Sequence, residues 1–225
     1  ILVGIVAGGF SSLYRYIIHG IEGILAAIIN YSREHLYIYL LLFVALIFIS
    51  FLVSKLKKMS KFCGGSGIPQ VEAEIKGYIN PNPEKLLFAK IVGGGLTALS
   101  GFSVGREGPS IQIGAMSGKL VSKKLKKNKT VEKFLITCGA SAGLAAAFNA
   151  PVAGVLFVVE EIHRHISKKL LVVCMASTII ADLVSKILYG TDTVFSFKLS
   201  DKLPITDYWT LILFSIALSL LGVLY

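Results

Sequence analysis

The sequence is poor in charge and in cysteine, and each shortage excludes a class of protein. Only 16% of its 225 residues are charged, whereas about 25% is usual in a soluble domain. Hydrophobic residues make up 54% and the mean hydropathy is +0.73, which excludes intrinsic disorder. Three cysteines are too few for a disulfide scaffold, and we interpret Cys63, Cys138 and Cys174 as small buried hydrophobic residues. The composition therefore predicts a membrane protein.

Acidic residues are scarce as well, with 13 against 23 Lys and Arg and a net charge of +10. Such an excess would suggest nucleic acid in a soluble protein, but aromatic side chains do not interleave with the basic ones as base stacking requires. Four, seven and three of the basic residues instead form clusters at 55–61, 119–133 and 163–169. Because basic loops of membrane proteins stay in the cytoplasm, we predict that all three clusters are cytoplasmic and that nucleic acid is not a partner.

Apolar runs fill the stretches between the basic clusters. They span 1–30, 37–56, 86–104, 111–121, 134–148, 152–159, 170–189 and 208–225. Several are shorter than the roughly 20 residues of a straight crossing, and Gly or Pro interrupts them at 64–69, 105–109 and 149–151. We therefore expect an all-α polytopic membrane protein with tilted and broken, re-entrant helices, located in the cell membrane.

An even number of crossings between the basic clusters places the tip at 31–36 and the segment 191–207 outside the cell. Small residues four positions apart predict close helix packing; they are Gly4/Gly8, Gly114/Gly118, Gly139/Gly143 and Gly143/Ala147. Because the chain begins and ends within apolar runs, we expect it to be part of a longer protein.

Two of the interruptions share one pattern, a glycine turn followed by proline. The first contains Ser66 and ends at Pro69, and the second is Gly105-Arg106-Glu107-Gly108-Pro109. Proline suits the first turn of a helix, so each break should present free N–H groups at a helix N-terminus. Two such positive helix ends aimed at one point would bind a small anion, with the Ser66 hydroxyl as a further neutral donor.

Glu107 is unusual at the start of such a helix. Its carboxylate would compete with an anion for the same N–H groups, and protonation would end that competition. Glu107 could therefore couple anion movement to protons. The alternative is a structural glutamate stabilised by the helix dipole.

Four strings resemble, in the same order, the CLC family of chloride channels and proton/chloride exchangers. They are GSGIP at 65–69, GREGP at 105–109, GASAGLAAAFNAP at 139–151 and FVVEE at 157–161. The resemblance implies a homodimer in which each subunit builds its own pore from two inverted halves. Residues 1–225 would form a single transmembrane domain, the first repeat plus the start of the second, without a soluble regulatory domain.

The resemblance also implies roles for individual residues. The anion would be bound by the Ser66 hydroxyl and by main-chain N–H groups, with supporting residues beside them; these positions are Ser66, Gly67, Ile68, Glu107, Gly108, Arg106 and Pro109. Glu107 matches the external gating glutamate. Gln70 departs from the glutamate that many members carry, and the tyrosine facing the serine is absent from this stretch, as is the Gly-x-Phe-x-Pro helix start of the second half. We therefore expect only half an anion site here.

Glu161 matches the internal proton-transfer glutamate found in exchangers and usually replaced in channels. From the residues alone, interfacial charge pairing with Arg164 or Lys168 is an equal alternative, because neighbours three positions apart, such as Glu161 and Arg164, meet on a helix.

The resulting prediction is chloride transport, by exchange with protons or, alternatively, through a passive channel. Chloride, protons and lipid are the expected partners, and we expect neither a cofactor, a metal nor an enzyme activity. A membrane metalloenzyme using Glu161, His163 and His165 is a remote alternative, because those residues do not form a His-Glu-x-x-His pattern.

Overall fold

The computed structural model describes residues 1–32, 35, 37–102, 104–163, 167–190 and 204–224, and all regular secondary structure among them is helical. The α-helices are α1 Leu2–Ser32, α2 Tyr37–Met59, α3 Ile68–Lys76, α4 Pro83–Leu99, α5 Glu107–Lys124, α6 Lys129–Phe148, α7 Pro151–Phe157, α8 Lys168–Tyr189 and α9 Trp209–Leu224. A π-helical turn, Val158–His163, extends α7, and a 3-10 turn, Ile205–Asp207, precedes α9. The all-α prediction is confirmed.

Five helical segments are long and apolar enough to cross a membrane. They are Leu2–Ser32, Tyr37–Met59, Lys129–Phe148, Lys168–Tyr189 and Ile205–Leu224. The remaining helices are shorter or less apolar, as the interrupted runs predicted. α4 ends earlier than its run, at Leu99, because Gly101 adopts a left-handed conformation with φ of 79°.

The chain divides into two compact units, residues 1–192 and 193–225. α9 lies in the second unit. In the first unit α5 is the central helix, with 14 of its 18 residues buried although it contains several Ser, Gly and Lys residues. Its polar composition means that neighbouring helices, and not lipid, must surround it. The expectation of a single transmembrane domain stays a prediction.

Glycines let α5 and α6 touch through their backbones. A Cβ on Gly114 would lie 2.1 Å from the Gly139 carbonyl oxygen, and one on Gly143 would lie 2.2 Å from that of Ser110. Similarly, a Cβ on Gly4 would lie 2.6 Å from a main-chain oxygen of α8. The predicted close packing at these glycines is confirmed. It brings α6 into direct contact with α5, the helix that carries Glu107.

Some predictions fall on residues outside the described part of the chain. Arg164 and His165 of the third basic cluster are among them, so the alternative pairing of Glu161 with Arg164 lies outside the described residues. The same holds for most of the segment 191–207 and for part of the tip at 31–36.

Candidate anion and proton site

The loop before α3 carries Ser66, which is exposed, against the start of α5. Gly65 and Gly67 have φ of 74° and 107°, a left-handed conformation that glycine adopts without strain. The Ser66 Oγ accepts a hydrogen bond of 3.2 Å from the Ile68 N–H, which leaves the hydroxyl proton available to a ligand. Gln70 closes the loop, because its side-chain amide donates to the Gly64 carbonyl at 3.0 Å.

The second helix start lies against this loop. A Cβ on Gly108 would lie 2.3 Å from the Ser66 carbonyl oxygen, so the backbones of the two breaks are in direct contact. The Ser110 N–H donates to the Arg106 carbonyl, which leaves the first N–H groups of α5, those of Glu107 and Gly108, without an intrahelical acceptor. The fold therefore brings together two helix N-termini that are about forty positions apart in the chain.

Lys90 lies beneath the Ser66 loop and was missed by the sequence reasoning. Lys90 is only 4% exposed. Its Nζ donates hydrogen bonds to the carbonyls of Cys63, Gly65 and Ser66 at 3.2, 2.8 and 3.3 Å. No carboxylate lies within ion-pair distance of Lys90 in the described part of the chain. A buried ammonium group without a counter-charge is costly, and an anion at Ser66 would supply one. A lone lysine within an apolar run was the available signal.

Gln112 is a second residue that the sequence did not single out. Its amide nitrogen donates to the Phe62 carbonyl at 2.9 Å, and its side chain packs against Gly67. The glutamine thus links α5 to the Ser66 loop from behind. It holds the two helix starts in a fixed relation.

Glu107 is exposed at the start of α5. Its carboxylate makes no hydrogen bond or ion pair with the described residues. It lines a cavity of about 340 Å³ whose other walls are mainly apolar, formed by Ile111, Leu144, Phe148, Ala153 and Phe157 among others. A side chain in this position can move without first breaking a partner contact.

Arg106 does not pair with the adjacent Glu107. Its guanidinium instead contacts Glu22 of α1 at 2.9 Å, and both side chains are partly exposed. Pro109 lines a separate cavity of about 310 Å³, together with Gly65 and Lys90. Arg106 therefore ties the second break to α1, and Pro109 faces the cavity that Gly65 and Lys90 also line.

Glu161 lies in the π-helical turn that continues α7. Phe157, four residues earlier, lines the same cavity as Glu107, so one helical segment connects the two glutamates. Glu161 is exposed, and the turn packs against α6, where His163 contacts Thr137 and stacks on Phe134. Wide π turns are frequent at functional sites.

Residues 45–225, more than half of the chain, match the family model described as "Voltage gated chloride channel". This chain belongs to that family. The CLC resemblance drawn from the four motifs is thereby confirmed.

Two curated relatives are named as ion exchangers. The H(+)/Cl(-) exchange transporter ClcA of Vibrio cholerae is 30% identical over 233 residues, a match that covers 100% of this chain and 49% of that protein. ClcA of Salmonella newport is 33% identical over 170 residues, covering 74% of this chain and 36% of that protein. The chain thus spans about half the length of the curated relatives, or less.

Solved CLC structures have the same fold. A slow cyanobacterial Cl-/H+ antiporter superposes with a TM-score of 0.84 at 25% identity, covering 98% of this chain and 53% of that one. A CLC-type fluoride/proton antiporter gives a TM-score of 0.73 at 22% identity, over 98% of this chain and 53% of that one. The predicted membrane architecture of this family is confirmed.

Proposed function

We propose that the full-length protein exchanges chloride for protons across the cell membrane, using this chain for half of its anion site. The observation that carries the proposal is the backbone contact between Gly108 and Ser66. This contact supports an anion site between the two helix N-termini, each with a partial positive charge, with the Ser66 hydroxyl as a further donor. Donors of this kind hold a small anion and still release it, as transport requires.

Glu107 is the proposed gate and external proton carrier. When ionised, its carboxylate competes with chloride for the N–H groups at the start of α5; when protonated, it leaves them to the anion. The cavity beside it gives the side chain room for this exchange. Glu161, at the other end of the α7 segment, is the proposed internal proton carrier.

Exchange is favoured over a passive channel by two kinds of support. Glu161 is present at the position where the CLC resemblance places a proton-transfer glutamate in exchangers. The curated relatives named above are H(+)/Cl(-) exchange transporters, at 30% and 33% identity. Transport, and no enzymatic reaction, is accordingly the proposed activity.

The deciding measurement is the reversal potential of the reconstituted full-length protein under opposed chloride and proton gradients. An exchanger reverses at a potential that both gradients set, so the value should shift when pH alone is changed. A reversal at the chloride equilibrium potential that is insensitive to pH would identify a channel and contradict the proposal.

Glu107→Gln should abolish proton movement while chloride still flows, because the amide stays neutral and cannot carry a proton. Chloride and proton fluxes from vesicles, recorded together, test this. Glu22→Gln is the matched control, since it removes a nearby carboxylate that does not line the Glu107 cavity. Proton flux that persists at the wild-type ratio in Glu107→Gln would refute the gate.

Glu161→Gln should block proton movement with less effect on chloride. The neighbouring Glu160→Gln serves as its control, because it changes the same charge one position earlier. Equal loss of proton flux in both variants would argue for a general effect of charge in the π turn.

We also propose that the basic clusters face the cytoplasm and that the full-length protein is a homodimer, as the CLC resemblance implies. Basic side chains lie at the C-terminal end of α2 and at the N-terminal ends of α6 and α8, which would all face the cytoplasm. In a cysteine-free background, Lys126→Cys should react with an impermeant maleimide only from the cytoplasmic side, and Tyr31→Cys only from outside. Chemical cross-linking in the membrane should trap a dimer.

A further inference from the structure

A buried ion pair joins α3 to α5 at the end opposite the Ser66 loop. Glu74 of α3 and Lys119 of α5 have side chains only 4% and 6% exposed, and the Glu74 Oε1 accepts a hydrogen bond from the Lys119 Nζ. Lys119 also donates to the Asn80 Oδ1 and to the Pro81 carbonyl, each at 2.7 Å. All three ammonium protons therefore have acceptors.

The second carboxylate oxygen of Glu74 is in a different situation. Oε2 is buried and has no hydrogen-bond partner among the described residues. Glu74 lines a cavity of about 180 Å³, whose charged or polar walls also include Asn80, Lys129, Glu132 and Lys133. That volume has room for several water molecules, at about 30 Å³ each. A buried carboxylate oxygen without a donor is costly, and protonation of the Glu74 carboxyl removes that cost.

The charged groups around Glu74 do not fully offset the cost of burying its ionised carboxylate. Lys119 faces it from α5, while on α6 Glu132 pairs with Lys129 at 2.7 Å. On α3 itself Glu72 pairs with Lys76, and the π turn meets this region through the apolar Val158 and Ile162, which share a core with Val71 and Ile75. α3 has nine residues and does not span the membrane. Burial raises the pKa of the Glu74 carboxyl above its ordinary value, and the hydrogen bond and charge of Lys119 offset this only in part.

We propose that Glu74 is a proton-binding site on the side of the protein that carries the 119–133 cluster, and that its proton is coupled through α3 to an anion at Ser66. This inference rests on the proposed function for its anion. Glu74 lies six residues from Ile68, about 9 Å along the helix axis at about 1.5 Å per residue. Neutralising one charge at that distance tightens anion binding by about 2-fold at the permittivity of water and about 20-fold at an effective permittivity of about 20.

The coupling has a definite sign. As pH falls, Glu74 takes up a proton, the local charge becomes more positive by one unit, and the anion binds more tightly. By reciprocity, a bound anion raises the proton affinity of Glu74 by the same factor. The Glu74 site is separate from Glu107 and Glu161, since neither lines its cavity.

Infrared spectroscopy tests proton binding without relying on transport. The full-length protein should show the C=O stretch of a protonated carboxylic acid that grows as pH is lowered, and Glu74→Gln should lack that component. Glu72→Gln, on the same helix, is the matched control and should retain it. Should Glu74→Gln fail to fold, Lys119→Gln provides a second test: loss of the positive charge should move the midpoint of the band to higher pH.

Calorimetric chloride titrations test the coupling. Glu107→Gln serves as the background, so that the gate does not contribute to the pH dependence. Chloride affinity should rise 2- to 20-fold on acidification, and adding Glu74→Gln should remove that rise, whereas adding Glu72→Gln should not.

Three results separate the possible failures. Absence of a Glu74-dependent infrared band overturns the proton site. The coupling is overturned if Glu74 gives its infrared band but adding Glu74→Gln leaves the pH dependence of chloride affinity unchanged. Lack of chloride binding in every variant, again with the band present, contradicts the proposed function and leaves the proton site standing.

Discussion

Gly108 is the position at which the proposed anion site is most sensitive to a single methyl group. Its Cα faces the Ser66 backbone, and a Cβ there would lie 2.3 Å from the carbonyl oxygen, 2.8 Å from the carbonyl carbon and 3.0 Å from the Cα. All three atoms belong to the main chain, so rotation of a side chain cannot relieve the overlap. Gly108→Ala must therefore push the Ser66 loop away from the start of α5.

The size of the displacement follows from these distances. Separations below 3.0 Å are essentially not tolerated by a Cβ, so the 2.3 Å contact must open by at least about 0.7 Å. Overpacking of this kind typically costs about 1–3 kcal/mol of stability. If the shift also removes one hydrogen bond to the bound anion, worth about 1.5–3 kcal/mol for a charged partner, chloride affinity should fall about 10-fold to 140-fold.

Gly105→Ala is the matched control, because Gly105 lies three residues before Gly108 and a Cβ at that position has no neighbour within 4 Å. Both variants of the full-length protein should be compared with the wild type by calorimetric chloride binding and by thermal unfolding. We expect Gly105→Ala to bind chloride like the wild type and Gly108→Ala to bind it much more weakly while still folding.

Two outcomes would refute this reasoning. A folded Gly108→Ala protein with wild-type chloride affinity would mean that the contact between the two helix starts does not build the anion site. Equal weakening in Gly105→Ala and Gly108→Ala would mean that any added methyl group disturbs the loop, and the backbone contact would lose its special role.

Other variants test the surroundings of the site. Lys90→Gln should weaken chloride binding about 10-fold by removing a buried positive charge, whereas Lys85→Gln, at the exposed end of α4, should not. Calorimetric chloride titration distinguishes the two variants, and equal affinities would contradict an electrostatic role of Lys90. Gly143→Ala should prevent folding, because its Cβ would lie 2.2 Å from a main-chain oxygen of α5, and Gly9→Ala, with no neighbour within 4 Å, should fold normally in expression and size-exclusion tests. Glu22→Gln should change stability by less than about 1 kcal/mol, since its ion pair is partly exposed; a large loss in thermal unfolding would show that the pair is structural.

The helices and their interruptions were predictable because they depend on local chemistry. Long apolar stretches must form helices in a membrane, where every backbone group needs an internal partner. Glycine and proline mark the breaks through backbone conformation alone. α3 and α5 accordingly begin at Ile68 and Glu107, within the two predicted interruptions, and α2 and α8 contain the predicted runs.

The contacts within the site depended on positions distant in the chain. The sequence places Lys90 in an apolar run and Glu74 on a short polar helix, and neither pattern indicates a partner. Only the packing of α4 under the Ser66 loop gives Lys90 its three carbonyl acceptors.

The sequence by itself therefore determined that this is a membrane protein, that it is helical and where the two helix starts lie. It could do so because hydropathy and backbone conformation act over neighbouring residues. The tertiary structure decided which groups surround those starts. It placed a buried lysine behind Ser66 and paired Glu74 with Lys119 through only one of its two oxygens. These arrangements arise from segments that pack together although 24 to 45 residues of chain separate them, a distance over which sequence periodicity carries no information about contact.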